Sequence, residues 1–218
     1  MWAELADLGA VPLGEFIEHI TYGPIVTGRR PRPAPGGVAI VDQKAIRPTG
    51  VVLDGAVRVA AGCEFDLPRC RLRRGDIVLA RSGAGTLAKK RFTVFDLSAD
   101  ATVSCFVDLI RLRGIRSRYV ATFLRTRLGW AQVERLINGV ATPNLSFGEI
   151  RSLLVPPVPE PRQRAAEAAW RAVAELHAAG CLEEAEEALD AEVRRLEDEL
   201  ESEARRRGAG GRTGPCRV

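Results

Sequence analysis

Thiol or imidazole chemistry in this chain would have to start from five cysteines, Cys63, Cys70, Cys105, Cys181 and Cys216, and two histidines, His19 and His177. A nucleophile needs a base within hydrogen-bond reach. His177 lies in a run rich in Ala and Glu, which leaves His19 with Cys105 as the one candidate pair, and no local motif joins them. Cys63, Cys70 and a histidine could hold zinc, but there is no C-x-x-C and the ligand set is short of four. The odd number and wide spacing of the cysteines argue against a disulfide framework, so buried or incidental thiols are the reading adopted. Phosphate-cradling loops are missing too. There is no Walker A motif and no G-x-G-x-x-G; Arg81-Ser82-Gly83-Ala84-Gly85-Thr86 keeps a lone G-x-G without its third glycine or a following helix. H-E-x-x-H, G-x-S-x-G and the N/D-P-P-Y/F tetrapeptide of amino-methyltransferases are absent, and Val155-Pro156-Pro157-Val158 is not the last of these. These residue types point to binding rather than catalysis.

The chemistry that remains is that of the guanidinium group. The 218 residues hold 29 Arg and 3 Lys, and Arg suits bidentate contacts to phosphate and guanine. The net charge of +4 conceals a division. Residues 1–159 carry 22 basic and 14 acidic side chains, net +8, whereas residues 160–207 carry 8 and 14, net −6. A basic part followed by an acidic one suggests two tasks, the first of which meets a polyanion. The length allows one domain, or one domain with an appendage. Apolar content of 46% excludes global disorder. The longest run without charge, 136–148, is 13 residues and too short to span a membrane. Glu4 and Asp7 precede any basic residue, the wrong flank for a secretory signal, so a cytoplasmic location is expected.

Residues 1–110 read as short strands with turns between them. Residues 38–41, 77–80, 92–95 and 103–112 are apolar runs, and 51–53 with 56–60 flank Asp54-Gly55 as a hairpin would. The stretches 29–33, 69–74 and 81–91 read as loops by their Pro, Gly and charge content. Over 118–137 the apolar period turns helical, with Ser117 as a candidate N-cap and Asn138-Gly139 as the stop. Ser146-Phe147-Gly148-Glu149 has the form of a capping box, and 153–155 reads as extended. Pro156, Pro157, Pro159 and Pro161 then mark a boundary.

Beyond it the chain reads as a long helix over 160–207, about 70 Å if continuous. Leu182, Leu189 and Leu196 recur every seven residues, with Ala185, Val193 and Leu200 beside them and Val173 upstream. Such a stripe needs burial to offset its ordering entropy, and a partner helix is the expectation, against a solvated helix packed on its own domain. Gly180 either kinks this helix or ends one before a second begins. The Gly- and Arg-rich tail 208–218 is expected to be disordered.

The order of these segments resembles the specificity subunits of type I restriction-modification systems. The resemblance is carried by Pro12-Leu13-Gly14-Glu15, Tyr22-Gly23, the loop Gly28 to Pro33, Gly37-Val38-Ala39-Ile40-Val41-Asp42 and Arg74-Gly75-Asp76-Ile77-Val78-Leu79-Ala80-Arg81-Ser82-Gly83. It continues through Tyr119 to Leu128, Asn138-Gly139-Val140-Ala141-Thr142-Pro143-Asn144-Leu145-Ser146, Ile150 to Pro157, and Gln163 at the head of the long helix. The match runs over about residues 11–200, each piece weak alone and specific in its order. The resemblance implies an α+β fold, a β-rich target-recognition domain (1–159) with packed helices followed by a long coiled-coil-type helix. It implies a subunit without catalytic activity or a cofactor of its own. Its partners would be double-stranded DNA, an S-adenosylmethionine-dependent DNA methyltransferase acting on adenine and, where one exists, a restriction endonuclease. Arg29, Arg30, Arg32, Arg81, Ser82, Thr86, Lys89, Lys90, Arg91 and Thr142 would be the DNA contacts.

The usual member of that family is about twice as long, with two recognition domains alternating with two helices. This chain has one of each, so the resemblance implies a half-subunit that pairs its helix with a second copy or another half-subunit, and reads an interrupted target. The Arg- and Pro-rich stretch 29–35 stands outside the pattern. Two other readings stay open at this point: an adaptor whose basic domain binds nucleic acid with little sequence choice, and a cysteine-dependent enzyme.

Overall fold

Alternation along the central strands sets the architecture. In Ile77–Ala80 and Val107–Leu112, successive side chains enter two different apolar clusters. Ile77 and Ile110 face one, while Val78, Ala80, Val107 and Leu109 face the other. A sheet buried on both faces reads as an unbroken apolar run, which is why 77–80 lacks the polar alternation of a surface strand.

The structure, a computed structural model, describes residues 1–81, 90–136 and 145–210. In chain order the first elements are α1 (Trp2–Asp7), β1 (Val11–Pro12), β2 (Ile17–Tyr22), β3 (Val38–Val41), β4 (Ile46–Arg47), β5 (Gly50–Val51) and β6 (Arg58–Val59). They are followed by β7 (Ile77–Ala80), β8 (Phe92–Val94), β9 (Ala101–Val103) and β10 (Val107–Leu112). The remainder is α2 (Ser117–Phe123), α3 (Arg127–Leu136), α4 (Phe147–Ser152), β11 (Leu154–Val155), α5 (Glu160–Ala178) and α6 (Leu182–Gly210).

One sheet has the order β2-β10-β7-β8, all antiparallel. A second, β6-β3-β9, lies against its outer face and includes the parallel pair β3 and β9. The helices cover the inner face. Three layers result: helices, four-stranded sheet, three-stranded sheet, consistent with the expected α+β class.

Several local expectations change. Asp54-Gly55 does form a turn, but the segments beside it do not pair with each other. β5 pairs with β4 across Pro48-Thr49, and β6 pairs with β3, because β3 offers a longer apolar edge. The run 103–112 is two strands in different sheets, separated by Ser104-Cys105-Phe106. The helix expected over 118–137 is two. Thr126 ends one turn and caps the next through a bond from the Gly129 N–H at 3.2 Å, and a Cβ on Gly129 would lie 2.1 Å from the Phe123 carbonyl. Arg116, not Ser117, precedes α2, and its N–H is met by the Gln163 side chain at 2.8 Å. The Ser146/Glu149 capping box is present.

The long helix requires the largest correction. It is two helices, α5 and α6, and they run antiparallel, since Arg162 near the start of α5 pairs with Glu199 and Glu203 near the end of α6. Gly180 makes the reversal. Its φ of +80° suits glycine, and the Gly180 and Cys181 N–H groups close on the His177 and Leu176 carbonyls in a Schellman pattern. Val173, Ala185, Leu189, Leu196 and Leu200 are therefore buried within the chain, in one apolar cluster with Leu5, Tyr119, Phe123 and Trp170. A three-residue turn brings the two faces together at far smaller entropic cost than association of separate chains. Val193 is half-buried and Leu182 stays 46% exposed at the hairpin tip. Among the described residues, one apolar cluster contains side chains from both 1–159 and 160–207. α6 continues through 208–210, and the rest of the tail, with Cys216, lies outside the described residues.

Candidate nucleic-acid interface

Strand register gathers four strand ends at one end of the β layers. Tyr22 is opposite Asp108, Ala80 opposite Val107, and Val41 beside Val103. The chain leaving β2, the turn after β3, Arg81 directly after β7 and the β9–β10 turn all lie there. They are tied by main-chain bonds: Gly23 N–H to the Ser104 carbonyl (3.1 Å), Ser104 N–H to Val41 (2.9 Å) and Arg81 N–H to Phe106 (3.1 Å). Gly23 is required by this closeness, as a Cβ would lie 1.9 Å from the Val103 carbonyl. Asp42 shapes its turn by accepting from the Lys44 and Ala45 N–H groups at 2.8 and 3.0 Å, which leaves Lys44 exposed.

Arg81 is the best-positioned of the expected contacts. Its guanidinium carbon lies 4.2 Å from the Tyr22 ring centre and 5.9 Å from that of Phe147, and its Nε is 3.5 Å from Asp108. Asp108 is 0% exposed, and neither of its oxygens has a hydrogen-bond donor among the described residues. Burial pushes its carboxyl up to about 7, and the Arg81 charge opposes the rise. Arg81 itself is 20% exposed. The site thus holds a partly desolvated planar cation that solvent still reaches.

The other expected contacts fall elsewhere. Arg29, Arg30 and Arg32 line a cleft of about 670 Å³ with Ala60, Cys63, Glu64 and Phe65. Arg29 pairs with Glu64 at 2.9 Å. This cleft lies by the start of β3, at the opposite end of that strand from Lys44. Lys90, with φ +48°, turns toward the helices: its Nζ donates to the Arg125 carbonyl (3.1 Å) and lies 5.1 Å from the Trp130 ring centre. Burial lowers its pKa. Arg91 is half-buried beside it. Ser82, Thr86, Lys89 and Thr142 lie outside the described residues. The structure therefore brings Arg29, Arg30 and Arg32 together, and separates them from Arg81.

Many remaining cations are neutralised by the chain. Arg71 meets Asp66, Arg111 is bidentate on Asp76 (2.8 and 2.7 Å), Arg74 and Arg118 share Asp96, and Arg116 meets Glu160. Of the histidines, His19 Nε2 lies 2.8 Å from the Arg69 carbonyl and His177 Nδ1 lies 2.7 Å from Thr49 Oγ1; neither meets a cysteine in these bonds. The described residues hold no group of three His, Cys, Asp or Glu side chains disposed to bind a metal, and no helix long and apolar enough to cross a membrane. Lys44, Asp108 and Phe106 were not legible as site residues. Phe106 sat inside an apolar run, and only its flanking Ser104-Cys105 hinted at a turn.

No protein-family model matches the chain, and no curated protein matches it. Solved structures do. One is a chain from a study of complex assembly and conformational transition of the type I R-M system, with TM-score 0.54 and 16% identity, over 89% of this chain and 45% of that one. Another is the HsdS subunit from Thermoanaerobacter tengcongensis, with TM-score 0.51 and 16% identity, over 93% and 50%. A weaker likeness, TM-score 0.47 and 10% identity over 77% and 38%, is to the type I restriction-modification S subunit from M. genitalium. The first two likenesses carry the fold, and this chain spans about half the length of the structures it matches. The three-layer head with its helical pair is thus the fold of about half of an HsdS-type specificity subunit.

Proposed function

We propose that this chain is the DNA-reading subunit of a type I-like restriction-modification complex, without catalytic activity of its own, and that it directs a partner methyltransferase to an interrupted target. The observation that carries the reading is the convergence of Arg81, Lys44 and the turns after β2, β3 and β9 at one end of a head whose fold is that of about half of an HsdS subunit. Phosphate contacts supply affinity and register, and bidentate Arg contacts to base edges supply choice, each worth about 1–3 kcal/mol of discrimination. The partner would use S-adenosylmethionine and flip its adenine from the stack. An interrupted target calls for a second reader, a copy of this chain or another half-subunit. Its contact would fall on the outside of the α5–α6 hairpin, where Leu182 is exposed, because the inner stripe is already covered. Two identical readers related by a two-fold axis would see inverted half-sites.

The adaptor reading is less well supported. A binder of low sequence choice relies on summed free charge, and here Arg71, Arg74, Arg111, Arg116 and Arg118 are already paired with carboxylates. Co-expression with a candidate methyltransferase, followed by genome-wide mapping of methylated bases, tests the proposal. An interrupted target containing a modified adenine is expected. Retention of the complex on that target under excess random duplex is expected as well, and loss of all binding to the competitor would overturn sequence reading. Arg81→Ala should cost more on the target than on random duplex; equal losses would mark Arg81 as a phosphate contact.

A further inference from the structure

Exposed apolar side chains scattered singly are ordinary and need no function. Phe106 differs from the others in shape and in how it is held. Among the described residues the large apolar side chains left exposed are Trp2, Ile25, Val57, Phe106 and Leu182. Ile25, Val57 and Leu182 have no π-face. The Trp2 ring has the Arg135 guanidinium 5.7 Å from its centre. Phe106, 57% exposed, is the exposed aromatic ring with no ring or cation contact recorded among the described residues, and it lies at the loop end of the β layers.

Its backbone is fixed from three sides. The Phe106 carbonyl accepts from Gln43 Nε2 at 3.2 Å and from the Arg81 N–H at 3.1 Å, and its own N–H reaches Ser104 Oγ at 3.4 Å. Two residues on, Asp108 is locked in the sheet between Tyr22 and Leu79. A polar side chain would fill the same turn without exposing apolar surface. The arrangement is an exposed aromatic ring on a fixed turn, beside Arg81 and on the same end as Lys44.

We propose that Phe106 is a specificity-determining wedge that inserts between two base pairs of the target duplex, unstacking one step. The proposal rests on the DNA-reading function above. A ring of this kind recognises the π-faces of bases and the ease with which a step opens, a readout of deformability rather than of hydrogen bonds. Flexible pyrimidine–purine steps would be favoured at the contacted position. Preorganisation matters, because a turn whose backbone is already held by Gln43, Arg81 and Ser104 loses little main-chain freedom when its ring inserts.

The test uses the complex with its methyltransferase and the target duplex mapped by methylation, with 2-aminopurine placed singly along the target. Wild type should raise the fluorescence at one step, and Phe106→Ala should abolish that rise. Phe106→Ala should weaken binding to the target tenfold or more while changing binding to random duplex less than twofold. Phe106→Leu should recover part of both, and its thermal melt should match wild type, which separates wedge loss from misfolding. Target binding by Phe106→Ala within twofold of wild type, with an unchanged 2-aminopurine signal, would overturn the wedge alone. Loss of methyltransferase association with duplex affinity intact would also overturn it, by making Phe106 a protein contact. Failure of the wild-type complex to bind the mapped target would overturn the DNA-reading function and the wedge together.

Discussion

The Arg81 guanidinium stands 3.5 Å from the Asp108 carboxylate, and this pair joins the first residue after β7 to the interior of the central sheet. Asp108 is wholly buried without a hydrogen-bond donor among the described residues. An ionised carboxylate there is poorly solvated, and its one compensation is a cation that water also reaches.

The consequence is a specific pH dependence. The Asp108 carboxyl titrates near 7 in the folded chain, against an ordinary value of 3.8. Between about pH 4 and 7 the folded form holds a proton that the unfolded form has released. Stability contributed by this group therefore falls as pH rises through that window and is gone above it. Asp108→Asn has no proton to lose. Its stability relative to wild type should rise between pH 5 and pH 8 by about 2–3 kcal/mol, read from urea denaturation at the two values. Parallel behaviour of the two proteins would show that Asp108 is ionised throughout.

Thr49 and His177 pin the β4–β5 hairpin to α5. Burial, with the Arg47 charge, lowers the His177 pKa below its ordinary 6.5. The unfolded chain takes up a proton below that value while the folded chain resists it, so this contribution is full above about pH 6.5 and is lost as pH falls. Gly50 packs against the same ring, and a Cβ there would lie 3.0 Å from His177 Cδ2. Gly50→Ala should destabilise by about 1–2 kcal/mol. Thr49→Val should lose about 1 kcal/mol at pH 7, read from a shift of the melting temperature, by removing the bond to His177.

Gln132 serves Leu154 as a neighbouring strand would. Its Oε1 accepts from the Leu154 N–H at 2.8 Å, and its Nε2 donates to the Leu154 carbonyl at 3.0 Å. The amide is buried, so truncation leaves two backbone groups of β11 unsatisfied. Gln132→Ala should cost about 2–4 kcal/mol. Amide exchange at Leu154 should accelerate along with the drop in melting temperature.

Gly180 closes the helical hairpin in the left-handed region. No atom crowds a Cβ at this position, so the strain of Gly180→Ala is purely conformational, about 1 kcal/mol. Gly180→Asn should cost less, because Asn tolerates that region. Thermal melts of the two variants order them.

Local features of this protein were written in the residues themselves. The Ser146/Glu149 capping box, the strand at 77–80 and the buried spacing of Ala185, Leu189, Leu196 and Leu200 each depend on neighbours a few positions apart. A period of 3.6 or 2 states that a face will be buried, but not what will cover it. The tertiary structure decided that. Gly180 was legible as a break, yet whether α6 met its own chain or another depended on α1, α2 and α5 supplying an apolar surface. The division of 103–112 at Phe106 depended on β9 finding β3 in parallel while β10 paired with β2 and β7, partners many residues away. Asp108 lies in the apolar run 103–112, and it became a buried ion partner only when Arg81 and Tyr22 were set beside it. Composition and order conveyed a basic head and an acidic helical segment; the three-dimensional chain chose which arginines its own carboxylates would neutralise and which would stay available to a ligand.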